Sequence, residues 1–289
     1  CFCSVLSTRS VEFNLPPPRT FSAIKMTLTS KSRPDETMNS FDALDLKRIR
    51  GVAFDAVGTV MYPAPSVAEA YGAAIRRHCG IEVSQEVVSA VVRDALAQRS
   101  AAEDLRTNED VEEEFWAALI RQFCPSTAGF RNCFDELFAH FGNAEHWQCF
   151  GDVQATISEL RDAGLVCAVA SNFDLRLNSV CDGLPELSAM SHRIISSVVG
   201  WRKPAPQFFA AVAECLQLRP EEILMVGDDR NNDVLGAVAA GMSAAWVCRT
   251  AAPRIDLPQS AFRVSSLDEL TCLLTGKPST PQKTEQGPG

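Results

Sequence analysis

Two rhythms of apolar residues alternate along this chain. Short runs rich in β-branched and other apolar side chains predict strands over residues 50–55, 165–170, 193–198, 222–226, 244–248 and 261–264. Between them the apolar positions recur at helical spacing, predicting helices over 152–163, 206–215, 233–240 and 267–274. Regular alternation of strand and helix implies a parallel sheet covered on both faces. One segment breaks the rhythm. From Ser66 to about Gln148 the pattern offers no strand, only helical stretches at 67–78, 84–99, 111–123 and 131–141. In the stretch 111–123, Val111, Phe115, Ala118 and Leu119 share one face, and Glu112, Glu113 and Glu114 read as its solvated side. A helical insert directly after the first strand of a parallel sheet hangs over the strand ends, where such sheets bind ligands, and is expected to act as a lid.

The flanks follow neither period. Residues 1–49 are rich in Ser, Thr, Pro and Arg and are expected to be disordered. Their first 34 residues hold one acid, Glu12, against five bases, which weakly resembles an organellar transit peptide; the alternative is an over-long reading frame that starts at Met26 or Met38. The tail 276–289 is polar, breaker-rich and likewise expected to be disordered. The expected organisation is a core of residues 50–65 and 149–275 with a helical cap at 66–148.

A formal charge of -9 argues against nucleic acid or an anionic membrane as partner, and no apolar run approaches the ~18 residues of a membrane span. A small molecule remains the expected partner. The eleven cysteines are scattered, with no Cys-x-x-Cys pair, and read as free thiols suited to a reducing cytosol, hence a cytoplasmic protein.

Candidate chemistry collects at the predicted strand ends. FDAVGTV places Asp55 where a buried strand ends and a Gly-Thr turn begins, and VASNFD ends a strand on Ser171 and Asn172, a hydroxyl and an amide able to bind a phosphate-like oxygen. GWRKPAPQFF sets Lys203 just before a proline-started helix, and MVGDDRNNDVLGA brings Asp228, Asp229 and Asp233 close together, a cluster that needs a compensating cation. Each has an ordinary structural reading as well: Ser171 and Asn172 as helix caps, Asp233 as an N-cap. Lys203 stands out because no other lysine lies between Lys47 and Lys277.

In this order and at these spacings the four stretches resemble the motifs of the haloacid dehalogenase superfamily, and the insert resembles its helical cap of the first type. The resemblance covers residues 50–275. It implies an α/β fold, a Rossmann-like doubly wound parallel sheet with an α-helical cap inserted after the first strand. It also implies Asp55 as a nucleophile forming a covalent intermediate, Lys203 as its catalytic partner, substrate contacts at Thr59, Ser171 and Asn172, and Mg²⁺ held around Asp55, Val57, Asp228, Asp229 and Asp233.

The chain departs from the superfamily's phosphatases at one position. They carry a second Asp two residues after the nucleophile, to protonate the leaving group and activate water; here Val57 can do neither. Phosphonatases dispense with that acid by using a cap lysine, but residues 66–148 contain no lysine. Dehalogenases dispense with it because halide leaves unprotonated, yet they work without metal and have polar residues in place of Gly227-Asp228-Asp229. The sequence therefore reads as a Mg²⁺-dependent phosphatase acting slowly on a small phosphorylated metabolite, with a haloacid dehalogenase-type hydrolase or a non-catalytic binder as alternatives. His78, His140 and His146 are the cap residues that could supply the missing proton.

Overall fold

The computed structural model describes residues 45–125, 127–250 and 255–276. The expectations for residues 1–44 and for the tail beyond Gly276 fall outside them. After a short 3-10 turn (Leu46–Arg48) the chain forms β1 (Gly51–Phe54) and β2 (Met61–Pro63), then the helices α1 (Val67–Cys79), α2 (Gln85–Ser100), α3 (Glu109–Arg121) and α4 (Thr127–His140). It returns through β3 (Trp147–Cys149), α5 (Val153–Asp162), β4 (Val166–Ser171), α6 (Arg176–Gly183), α7 (Pro185–Ser188) and β5 (His192–Ile195). The last part runs α8 (Ser196–Val199), α9 (Pro206–Leu216), β6 (Ile223–Gly227), a π-helical turn Arg230–Leu235 into α10 (Gly236–Ala239), β7 (Ser243–Val247), β8 (Ala261–Val264) and α11 (Leu267–Thr275).

Six strands form one parallel sheet in the order β5-β4-β1-β6-β7-β8. Their side chains alternate between two buried faces, which is why the strands read as continuous apolar runs. Phe54, Leu224 and Val226 pack with Val153, Ile157 and Leu160 of α5 and with Leu267 and Leu270 of α11. Ala53, Ile223 and Met225 face Phe208, Phe209 and Val212 of α9. Each such Leu, Val or Phe contributes roughly 1.5–3 kcal/mol by leaving water. This is a Rossmann-like α/β core. The chain lays β4 and β5 on one side of β1 and β6 to β8 on the other, so the order reverses at β1 and opens a crevice at its carboxyl end.

The helical insert leaves and rejoins the core through an antiparallel pair, Met61 opposite Cys149 and Pro63 opposite Trp147. It has an apolar core of its own built on Tyr71, Ile75, Leu119, Ile120, Phe134 and Leu137. Side-chain caps define its helices: Ser66 and Glu69 form a reciprocal box at the start of α1, Ser84 caps α2 and Asn108 caps α3. Each such cap contributes about 1 kcal/mol. Among the described residues no helix is long and apolar enough to cross a membrane.

Four expectations need correction. The strand expected over 193–198 stops at Ile195, and Ser196–Val199 turn into α8. There the Ser196 hydroxyl and the Ser197 amide both donate to the Phe173 carbonyl, a local hydrogen-bonding choice that β-branched composition does not reveal. The stretch read as strand-free ends in β3, too short for periodicity to register. Cys79 and Cys124 form a disulfide across a Cα–Cα distance of 6.1 Å, so these two are not free thiols, and cysteine usage carries no argument about compartment. Sequence spacing cannot see that approach. Finally, Glu112 is buried rather than solvated: it accepts from Arg99 at 2.5 Å and from the Thr107 hydroxyl at 2.5 Å, while Val111 is 40% exposed. The helix is rotated from the expected face because an ion pair with Arg99 offsets burial of the carboxylate.

That rotation is testable. Glu112→Ala strands a largely buried guanidinium and should lower unfolding free energy by about 3–5 kcal/mol, whereas Glu113→Ala, on the exposed side, should stay within about 0.5 kcal/mol. Denaturant melts of both variants check it; equal, small effects would return Glu112 to the solvated face.

Candidate active site

Three parallel strands deliver polar groups to one point. The Asp55 amide extends the ladder beyond β1 by donating to the Val226 carbonyl at 2.8 Å, which turns its carboxylate over the carboxyl end of the sheet. Ser171, the last residue of β4, donates its hydroxyl to Asp55 Oδ1 at 3.0 Å. Lys203 arrives from the segment between α8 and α9 and is 2% exposed. Its ammonium donates to Asp55 Oδ1 at 2.7 Å, Asp233 Oδ1 at 2.6 Å and the Ala170 carbonyl at 2.9 Å. An ammonium has three N–H donors, so all are engaged, and the lysine stays charged. Burial alone would lower its pKa, but Asp233 and Asp55 together raise it above the ordinary lysine value.

The backbone must be unusually close-set for these carboxylates to meet. Gly58 has φ +88°, and a Cβ there would sit 2.4 Å from Asp228 Oδ2. At Gly227 a Cβ would lie 2.1 Å from Asp233 Oδ2. Only glycine fits either position. The Thr59 hydroxyl donates to Asp228 Oδ1 at 3.2 Å, and Trp246 Nε1 donates to the Asp228 carbonyl at 2.9 Å.

Asp55, Asp228 and Asp233 bring carboxylate oxygens within 4.8 Å of one another. Desolvation by the crowded surroundings, and then the neighbouring Asp55 charge, push the Asp228 carboxyl up to about 7, although the residue as a whole is exposed. Against these carboxylates stands the single ammonium of Lys203. The residual negative charge and the all-oxygen donor set fit a hard divalent cation such as Mg²⁺.

Above this floor lies a cavity of about 350 Å³. Its floor is Asp55, Val57, Ser171, Asn172, Lys203 and the aspartates of the fourth stretch, and its walls include Tyr71, Leu96, Phe115, Trp116, Phe138 and Phe141 of the insert.

The model of the haloacid dehalogenase-like hydrolase family matches residues 49–241. The chain belongs to this family of hydrolases. A bovine (Bos taurus) haloacid dehalogenase-like hydrolase domain-containing protein 3 is 27% identical over 68% of this chain and 80% of its own length. The phosphoglycolate phosphatase of Vibrio cholerae is 29% identical over 68% of this chain and 83% of its own. Among solved structures, the L-2-haloacid dehalogenase of Xanthobacter autotrophicus superposes with a TM-score of 0.60 at 20% identity, over 79% of this chain and 99% of that one, which is a likeness of fold.

Several residues of this hydrolase sit differently from the sequence expectation. Asn172 accepts from the Lys203 amide at 2.7 Å and donates to the Lys203 carbonyl at 3.1 Å, so its side chain clamps the lysine backbone while the residue lines the cavity floor. Thr59 is fully buried beneath Asp228 and does not line the cavity. Asp229 caps the π-helical turn, accepting from the Asn231 and Asn232 amides at 2.8 and 2.9 Å, and lies outside the trio of converging carboxylates. The N-cap considered for Asp233 therefore falls to Asp229. Val57 pairs with Met61 in an isolated bridge and lines the cavity. The histidines lie elsewhere: His78 contacts Glu136 at 2.6 Å, His140 and His146 stack at 3.7 Å, and none lines the cavity.

Sequence reasoning missed the arginines. Arg176 is held by Asp174 at 2.7 and 2.8 Å, and Arg202 donates to the Arg99 and Asp104 carbonyls at 3.2 Å each. The only available signal for Arg202 was its place directly before the lone lysine.

The closed socket of Lys203 gives a prediction. Lys203→Arg should lower stability by about 1–3 kcal/mol, since a longer, planar head is forced into a filled site. It should also lower turnover by about 10²-fold or more if the ammonium supports the transition state. Melts and turnover on one preparation check both; a variant as stable and as active as wild type would make the lysine incidental.

Proposed function

We propose that this hydrolase is a Mg²⁺-dependent phosphatase of a small phosphorylated metabolite that works through an aspartyl phosphate on Asp55. The observation that carries the reading is the approach of Asp55, Asp228 and Asp233 within 4.8 Å around one buried lysine, on the floor of a cavity. A metal-free reaction at carbon needs no such concentration of negative charge, whereas a phosphoryl group brought in with a divalent cation offsets it. A similarity to proteins named as phosphatases, such as that of Vibrio cholerae, supports the same direction.

Asp55 is prepared to attack. Ser171 and Lys203 both bond Oδ1, which orients the carboxylate and leaves Oδ2 as the nucleophilic oxygen. The phosphorus–oxygen bond to the leaving group breaks as the new bond to Oδ2 forms, and water then hydrolyses the aspartyl phosphate to phosphate and free Asp55. Lys203 holds the nucleophile in place and keeps positive charge beside the transferring group. Asp55 and Asp228 would hold the Mg²⁺, with Asp233 outside them, and the ion would supply charge stabilisation on the phosphoryl oxygens. Val57 provides no proton in either step, so turnover is slow on alkyl esters. A dehalogenase-type reaction is the second reading, favoured by the apolar wall and by Val57.

A screen of phosphate esters, acyl phosphates and 2-chloroacids, with and without Mg²⁺, decides between them: release of chloride without metal would replace the phosphatase by the dehalogenase. Asp228→Asn removes a charge from the cation site and should weaken Mg²⁺ binding about tenfold or more by calorimetric titration; unchanged binding would end the metal assignment. Val57→Asp should raise hydrolysis of an alkyl phosphate far more than that of acetyl phosphate, by a factor on the order of 10². No gain on the alkyl ester would mean that another group already delivers the proton.

A further inference from the structure

The wall of the cavity and the identity of Val57 constrain the same object, the leaving group. Resting on the phosphatase reading above, the geometry points to a substrate whose leaving group is an apolar body of about one aromatic ring joined to phosphorus through a weakly basic oxygen, that is, an aryl or aromatic acyl phosphate.

The argument about the body starts from what faces it. Tyr71, Phe115, Trp116, Phe138, Phe141 and Phe173 line the space above Asp55. Most polar groups of the wall are already engaged, with Arg202 Nε and Asn232 Oδ1 the two buried atoms left without a hydrogen-bond partner. Arg99 and Glu112 bond each other, Arg176 is forked onto Asp174 and bonds the Phe138 carbonyl, and Ser100 accepts from Asn232. A polyhydroxylated body, such as a sugar, would enter with hydroxyls that find few open partners there. An apolar body meets ring faces and aliphatic edges along its length. Size agrees: a cavity of about 150 Å³ lined by Leu, Ile and Phe accommodates benzene, so about 350 Å³ holds a phosphoryl group and one ring.

The argument about the oxygen starts from what is missing beside it. Val57 lines the cavity where a proton donor would be needed. Of the insert residues on the wall, Glu112 is an ion-paired acceptor, and burial pushes the Tyr71 phenol upward, which makes it a poorer acid. The histidines of the insert do not reach the cavity. A leaving alkoxide would therefore depart without a proton, whereas a phenolate or carboxylate leaves as its stable anion and takes its proton, if any, from solvent after release. The balance is complete: Asp55 supplies the electron pair to phosphorus, the pair of the broken phosphorus–oxygen bond leaves on the phenolate or carboxylate, and water closes the cycle.

The wild-type enzyme with Mg²⁺ is assayed for kcat/KM on benzoyl phosphate, p-nitrophenyl phosphate, acetyl phosphate, benzyl phosphate and glucose 6-phosphate. Benzoyl and p-nitrophenyl phosphate should exceed benzyl phosphate, which has the ring but a basic leaving oxygen, by about 10²-fold or more. Benzoyl phosphate should exceed acetyl phosphate, which has the leaving group but no ring, by about tenfold or more. A lead of benzoyl over p-nitrophenyl phosphate, or the reverse, assigns the leaving oxygen as carboxylate or phenolate. Trp116→Ala and Phe115→Leu should each narrow the benzoyl-to-acetyl ratio. Acetyl phosphate or glucose 6-phosphate turned over as well as benzoyl phosphate overturns this inference and leaves the phosphatase reading standing. No phosphate released on any arm overturns the phosphatase reading and this inference with it.

Discussion

Carboxylates do not crowd together in a protein interior unless something positive holds them there, and in this hydrolase that something is Lys203. Its ammonium, 2% exposed, bonds Asp55 and Asp233 and closes its third donor on the Ala170 carbonyl. Removing one member of such a buried set leaves an uncompensated charge that costs about 3–5 kcal/mol. Much of the surrounding architecture can be read as holding the lysine where it must be. The Asn172 amide grips its backbone from the end of β4 at 2.7 and 3.1 Å, and glycine at 58 and 227 lets the flanking turns approach Asp228 and Asp233 without a Cβ in the way. The remaining negative charge is what would suit the floor to a divalent cation, as the phosphatase reading requires.

The same short segment joins this floor to the helical insert. The Thr107 amide donates to the Gly200 carbonyl at 3.0 Å, the Arg202 amide to the Leu105 carbonyl at 2.9 Å, and Arg106 and Trp201 form an antiparallel bridge between them. Arg202 adds its side chain to the Arg99 and Asp104 carbonyls, and Asn232 reaches Ser100 at 3.2 Å. The loop between α2 and α3 is thus fastened to residues 200–202, one position before the lysine. These bonds hold the insert's loop directly against the backbone that places Lys203, so the insert takes part in positioning the floor.

Much of the core was legible because buried parallel strands carry their signal in composition as well as period: β1, β4, β6, β7 and β8 fall within a residue or two of their expected limits. Asp55, Ser171 and Asp228 could be singled out because a strand end followed by a turn is visible in sequence, Asp233 because it sits close to two further carboxylates, and Lys203 because no other lysine lies between Lys47 and Lys277. What each side chain touches was not. Asp228 and Asp229 are adjacent and chemically identical, yet one enters the carboxylate trio and the other caps a π-helical turn, a division made by backbone direction alone. Thr59 was read toward a ligand but bonds Asp228 outside the cavity, and Asn172, which lines the cavity, also holds the Lys203 backbone; hydrogen-bond partners far apart in sequence leave no local pattern. Glu112 failed for the related reason that its ion-pair partner, Arg99, lies on another helix.

Val57 joins the floor of the cavity to the apolar wall above it. Most cations that line the cavity are committed: Lys203 to Asp55 and Asp233, Arg176 to Asp174 and Arg99 to Glu112, while Arg202 bonds backbone carbonyls through its terminal nitrogens and its Nε has no partner. A carboxylate at position 57 would stand two residues from Asp55 at the edge of a space walled largely by aromatic and aliphatic side chains, where neighbouring negative charge disfavours its ionised form. A valine incurs no such penalty and extends the apolar wall down to Asp55. The missing carboxylate and the apolar cavity wall are therefore two sides of one physical arrangement. On the phosphatase reading, an enzyme so built would expel strongly basic leaving groups poorly and favour weakly basic, apolar ones.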